Sequence, residues 1–210
     1  MKKLLLIFSI LLTASTVFAT TFSFQNITNN NTTNAATGKS QLFVNVTDAG
    51  PNLVSFNFGN TGPLASSITD IYFDSGPLLS INQINNGPGA SFSQGASPPD
   101  LPGGNPVNFQ TTKGLLADSD SPTQPNGVNP GEWVNIITDL VAGANFNAVL
   151  ADLADGDLRI GIHVQGFVNG GSESFINNGP KSVPEPATLL LLGAGLIGLT
   201  GYSKRRFKNN

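Results

Sequence analysis

Gln41-Leu42-Phe43-Val44-Asn45-Val46-Thr47-Asp48-Ala49-Gly50-Pro51-Asn52-Leu53-Val54-Ser55-Phe56-Asn57-Phe58 is apolar at every second position twice over, first at Leu42, Val44 and Val46, then at Val54, Phe56 and Phe58. An extended chain sends successive side chains to opposite faces. Period two therefore places both apolar sets on one buried face, and Asp48-Ala49-Gly50-Pro51-Asn52 between them has the residues of a turn. The stretch predicts a β-hairpin.

The same pattern extends outward. Residues 68–73 and 78–81 read as two further strands split by Asp74-Ser75-Gly76-Pro77, and residues 132–140, with Trp133, as another. The clearest strand runs over residues 158–167, with Leu158, Ile160, Ile162 and Val164 facing inward and Arg159, Gly161, His163 and Gln165 sharing the other face. Before it, Asn145 caps a short helix whose apolar residues Phe146, Val149, Leu150 and Leu153 recur at helical spacing. At the start, Phe22-Ser23-Phe24 predicts a short edge strand, and the Asn- and Thr-rich residues up to Lys39 a loose polar loop. Eight prolines interrupt residues 85–130, which predicts a long loop folded across the surface and tethered by Phe92, Phe109 and Leu115. Many short strands, Gly/Pro turns and one short helix point to a mostly β fold, a β-sandwich of jelly-roll type.

Charged residues are only 11% of the 210, against about a quarter in ordinary soluble domains. Their placement matters more than their number. Lys2, Lys3, Lys204, Arg205, Arg206 and Lys208 crowd the two ends. Residues 20–180 carry twelve carboxylates against Lys39, Lys113 and Arg159, a net −9. A surface this acidic repels phosphate backbones, so nucleic acid is not an expected partner. With no cysteine there is no disulfide framework, zinc-thiolate site or thiol nucleophile. The middle must be held by its core, and at about 160 residues it is long enough to be.

The ends read as addresses. Met1-Lys2-Lys3, the apolar run of residues 4–12 and Val17-Phe18-Ala19 form a secretory signal peptide, residues 1–19, with cleavage between Ala19 and Thr20. Residues 181–210 read as a tail. Val183-Pro184-Glu185-Pro186 stays extended because two prolines fix φ and remove two donors. Residues 187–202 carry no charge and predict a C-terminal transmembrane helix, and Lys204, Arg205 and Arg206 behind it act as the stop-transfer signal on the cytoplasmic side. Residues 20–180 are the exported β-rich domain.

Signal peptide, Pro-Glu-Pro, apolar span and basic end, in that order, resemble the PEP-CTERM sorting arrangement of Gram-negative bacteria. The resemblance implies recognition of Pro184, Glu185 and Pro186 by an exosortase-like processing enzyme, transient residence in the inner membrane, and a final place at the cell surface or outside, often alongside secreted polysaccharide. Gln94-Gly95-Ala96-Ser97-Pro98-Pro99 and residues 157–167 look like segments of PEP-CTERM cargo proteins of unassigned role, which implies a family domain and says nothing of an activity.

Candidate chemistry is sparse. His163 is the sole histidine, with Ser172, Glu173 and Ser174 close in sequence, but no Gly-x-Ser-x-Gly elbow accompanies it and its strand position reads as solvent-facing. Asp152, Asp155 and Asp157 are the candidate metal ligands, of a calcium-binding kind, but the loop spacing of an EF-hand is missing and the preference of Asp for helix ends and turns explains them without a metal. No cofactor is expected. The residues favour a non-enzymatic surface or extracellular-matrix protein associated with exopolysaccharide or adhesion, over a secreted hydrolase acting on glycans or peptides.

Overall fold

A computed structural model describes residues 19–180. The chain divides into two units, Met1–Pro180 and Lys181–Asn210, and the described residues belong to the first. The signal segment up to residue 18, the sorting tail and the expected transmembrane helix lie outside them. Among the described residues no helix is long and apolar enough to cross a membrane.

The fold is mostly β, as the alternation predicts. Its elements are β1 (Ala19–Asn26), α1 (Thr32–Gln41), β2 (Leu42–Gly50), β3 (Leu53–Asn60), β4 (Ser67–Ser75), β5 (Leu78–Asn86), β6 (Phe92–Gln94), β7 (Leu116–Ser119), α2 (Thr123–Asn126), β8 (Trp133–Leu140), α3 (Phe146–Asp155), β9 (Leu158–Gln165) and β10 (Glu173–Pro180). All pairings are antiparallel, in one sheet of order β5-β8-β3-β2-β1-β10-β9-β4-β7-β6.

The sheet curls until its inner face meets itself. Phe73 of β4 lies edge-on to Phe56 and Phe58 of β3, with ring centroids 5.0 and 6.2 Å apart, although β3 and β4 are far apart in the strand order. Val44, Val46, Val54, Phe56, Phe58, Leu158, Ile160, Ile162 and Val164 are all fully buried in this interior. Curling also brings the sheet's two end strands together. The Asn86 side chain on β5 accepts from the Phe92 amide of β6 at 2.9 Å and donates to its carbonyl at 3.3 Å, so one amide stands in for a backbone pair and nearly closes the sheet.

Residues 20–39 depart from expectation. β1 is an interior strand between β2 and β10, with Phe22 and Phe24 buried. The expected polar loop is the ten-residue helix α1, so the fold has two ten-residue helices where one was expected. Its propensity is poor, and tertiary contacts hold it. Asn31 caps it by accepting from the amides of Thr33 and Asn34, Asn34 donates to the Gly170 carbonyl, and Gly38 lies against the Phe175 ring where a Cβ would collide.

α3 follows its prediction. Asn145 accepts from the Ala148 amide, Val149 and Leu153 pack into the interior, and Gly156 ends the helix at φ 89°.

The proline-rich stretch is more regular than expected. It contains β6, a 3-10 turn at Asn105–Val107, β7 and α2. Phe92, Phe109 and Leu115 are buried, as tethering requires. Leu101 and Phe109 cross the outside of the sheet and form a second core with Tyr72, Leu116 and Ile176. Gly161 makes this possible: a Cβ there would lie 2.7 Å from Leu101 Cδ2 and 2.9 Å from Phe109 Cζ. Arg159 fastens the same segment by donating to the Val107 and Asn108 carbonyls, pairing with Asp74, and lying over the Phe109 ring at 5.4 Å.

Candidate functional site

Two outer-face regions gather polar side chains. The first crosses β7, β4, β9 and β10. Register places Asp118 opposite Asp70, Asp70 opposite His163, and His163 opposite Ser174, one polar row on the face away from the main core. His163 is half-buried, so its expected solvent-facing position is met only in part. Its Nδ1 lies 3.1 Å from Ser174 Oγ, and Ser174 is fully buried.

The electrostatics of this row follow from burial. Asp70, only 3% exposed, is pushed up to about 6, by burial first and then by the charge of Asp118 opposite, against the hydrogen bonds from Thr69 (2.7 Å) and Tyr72 (3.4 Å). Burial likewise raises Asp118. It raises the Tyr72 hydroxyl too, with help from Asp70 and Asp118, and that hydroxyl also reaches the Pro98 carbonyl at 3.0 Å. Burial lowers His163, partly countered by Glu173, so the imidazole is neutral at pH 7. Glu173 is fully buried, and among the described residues no cation pairs with it. Burial alone would raise its carboxyl, but Thr28 Oγ1 (2.5 Å), Asn26 Nδ2 (3.0 Å) and the amides of Asn31 (2.6 Å) and Asn30 (3.1 Å) all donate to it and hold it below the usual range. It knots the residues before α1 onto β10.

The row has the residue types of a hydrolytic triad without its connections. The carboxylate nearest His163 along the row, Asp70, takes its hydrogen bonds from Thr69 and Tyr72, and the serine on the imidazole is inaccessible.

The second region is the outer face of β1, β2, β3, β8 and β5. Register lines up Thr21, Asn45, Asn57, Asn135 and Asn85, one from each strand. The side-chain oxygens of Asn45, Asn135 and Asn85 accept from Thr21, Ser55 and Gln83, each at 2.6 Å. A neighbouring row holds Phe43, Gly59 and Trp133. The Phe43 ring lies on Gly59, and the Trp133 indole on Gly87, where a Cβ would be 2.8 Å from Cδ2 and Cε2. In sequence, the outward positions of this hairpin are only the complement of its buried face. The ladder becomes visible only when strands distant in sequence come into register.

Ala19 and Thr20, flanking the expected cleavage point, are the first two residues of β1. Asp152 is half-buried on α3, while Asp155 at its end and Asp157 beyond Gly156 are exposed. Among the described residues no three His, Cys, Asp or Glu side chains converge as a metal cage. Val183, Pro184, Glu185, Pro186, Lys204, Arg205 and Arg206 lie outside the described residues.

No curated protein and no solved structure matches the chain. Residues 182–206 match the family model of the PEP-CTERM protein-sorting motif. That motif implies processing by exosortase, a membrane enzyme, and export to the cell surface or extracellular space. Beginning two residues after β10, the chain carries the PEP-CTERM protein-sorting motif, consistent with an exosortase substrate.

Proposed function

We propose that residues 20–180 form a non-enzymatic surface or extracellular-matrix domain that associates with exopolysaccharide or serves adhesion. It is delivered by a cleaved signal peptide and a tail that pauses in the inner membrane before cleavage near Pro184–Pro186. The observation that carries the non-enzymatic reading is the His163 row: its serine is fully buried and its nearest carboxylate along the row is engaged with Thr69 and Tyr72. An acyl-transfer nucleophile needs access and an oriented base.

The strand orders β3-β8-β5 and β9-β4-β7 support a flattened sandwich of jelly-roll type, because in the first a late strand inserts between two early ones and in the second an early strand lies between two later ones, non-sequential neighbours of the kind Greek-key connections make. The alternative, a secreted hydrolase acting on glycans or peptides, is favoured by the His163–Ser174 contact alone. Incubating the purified protein with polysaccharide and peptide panels separates the two. Retention without product supports the first reading, and product formation that is lost in His163→Ala supports the second.

A further inference from the structure

We infer that the outer face of β1-β2-β3-β8-β5 binds an uncharged polysaccharide chain, with Trp133 and Phe43 as stacking platforms and the asparagine ladder as its hydrogen-bonding row. The inference rests on the proposed association with polysaccharide and assigns it a site.

Both rings approach the sheet closely because the residues beneath them are glycines, Gly87 under the indole and Gly59 under the phenyl ring. Trp133 is 38% exposed, a large apolar side chain one row from the asparagine ladder. A pyranose ring offers an indole a face of C–H bonds while its hydroxyls point sideways, toward the adjoining row.

That row is set to receive them. The hydroxyls of Thr21 and Ser55 and the amide of Gln83 engage the oxygens of Asn45, Asn135 and Asn85, which leaves their NH2 groups as donors beside Asn57. Five strands spaced about 4.8 Å apart carry the ladder over roughly 19 Å, room for a short run of sugars. An apolar protein partner would have to desolvate these amides without satisfying them, and a hydroxyl-rich chain would not.

Charge selects among polysaccharides. The row of Thr21, Asn45, Asn57, Asn135 and Asn85 has no ionisable group, nor does the row of Ala19, Thr47, Ser55, Ile137 and Gln83 beside it. The carboxylate of Asp139, one row further, is held by Ser80 and Asn82. Among the described residues a polyanion finds no cation in these rows, and it meets a domain of net −9.

Trp133 is the only tryptophan in the chain, so its fluorescence reports on this face alone. The test runs the full chain in mild detergent through native gels containing β-1,3-glucan, hydroxyethyl cellulose, dextran or alginate, followed by titration of the corresponding oligosaccharide. The expected result is retardation by at least one neutral polymer and not by alginate, and a shift of Trp133 emission on titration. Weakening of about tenfold or more is expected in Trp133→Ala and in Asn57→Asp, the latter keeping both the reporter and the wild-type urea midpoint. Retardation with unchanged emission and a wild-type Asn57→Asp overturns this site and leaves the polysaccharide reading standing. Absence of retardation by every polymer overturns both. A dimer that Trp133→Ala converts to monomer identifies the occupant as a second copy and overturns the inference.

Discussion

Replacing Asp70 with asparagine should make the protein more stable at neutral pH, because the native fold holds this carboxyl where ionising it is costly. Asp70 is 3% exposed, stands opposite Asp118, and is raised from 3.8 to about 6. A raised folded value means that the folded chain holds the proton more tightly than the unfolded chain. The corresponding stability is fully present below about pH 4 and is lost as pH rises through about 6. Two pH units at about 1.4 kcal/mol each give a loss of about 3 kcal/mol. Urea unfolding of wild type and Asp70→Asn, followed by Trp133 fluorescence from pH 4 to 8, should show two curves that nearly coincide at pH 4. They should separate between pH 4 and 6 and run parallel above 7, with the variant higher. The difference cancels the titrating groups that do not interact with Asp70, which leaves Asp70 and its neighbour Asp118 as its source. Curves parallel from pH 4 upward would refute the reasoning, since the carboxyl would then titrate alike in both states.

Glu173→Ala should cost about 3 kcal/mol or more by stranding the amides of Asn30 and Asn31, read as a lower urea midpoint. Because the Glu173 carboxyl is held below its usual range, the stability it contributes is present above about pH 4.3. That stability should fade as pH falls through its lowered folded value, which acid titration of wild type against Glu173→Gln would detect. Gly161→Val should drive Leu101 and Phe109 off the sheet at a cost of about 1–3 kcal/mol, with faster proteolysis between residues 95 and 112 and the main core intact. Phe73→Ala, which removes the ring that Phe56 and Phe58 share, should cost about 3–5 kcal/mol in thermal or urea unfolding.

The strands were legible wherever one face is apolar and the other polar, as in β2, β3 and β9, because period two encodes burial directly. α1 was not, because Asn, Thr and Gly are weak helix formers and its stability comes from Asn31, Gly170 and Phe175, the last two more than 130 residues away. β1 read as an edge strand because its partner β10 arrives from the far end of the domain. The two polar rows were hidden for the same reason. Asp118, Asp70, His163 and Ser174 span more than 100 residues, as do Thr21, Asn45, Asn57, Asn135 and Asn85, and register alone joins them. The sorting tail is the opposite case: Pro184, Glu185, Pro186, the apolar run and Arg205 and Arg206 are contiguous, so recognition needs no fold.

Intact mass of the protein recovered from the cell surface and medium tests the central claim most directly. Export through the PEP-CTERM motif predicts a species that begins at Thr20 and lacks everything beyond Pro184–Pro186. A mass that retains Lys204, Arg205 and Arg206 would contradict it and make the tail a permanent anchor.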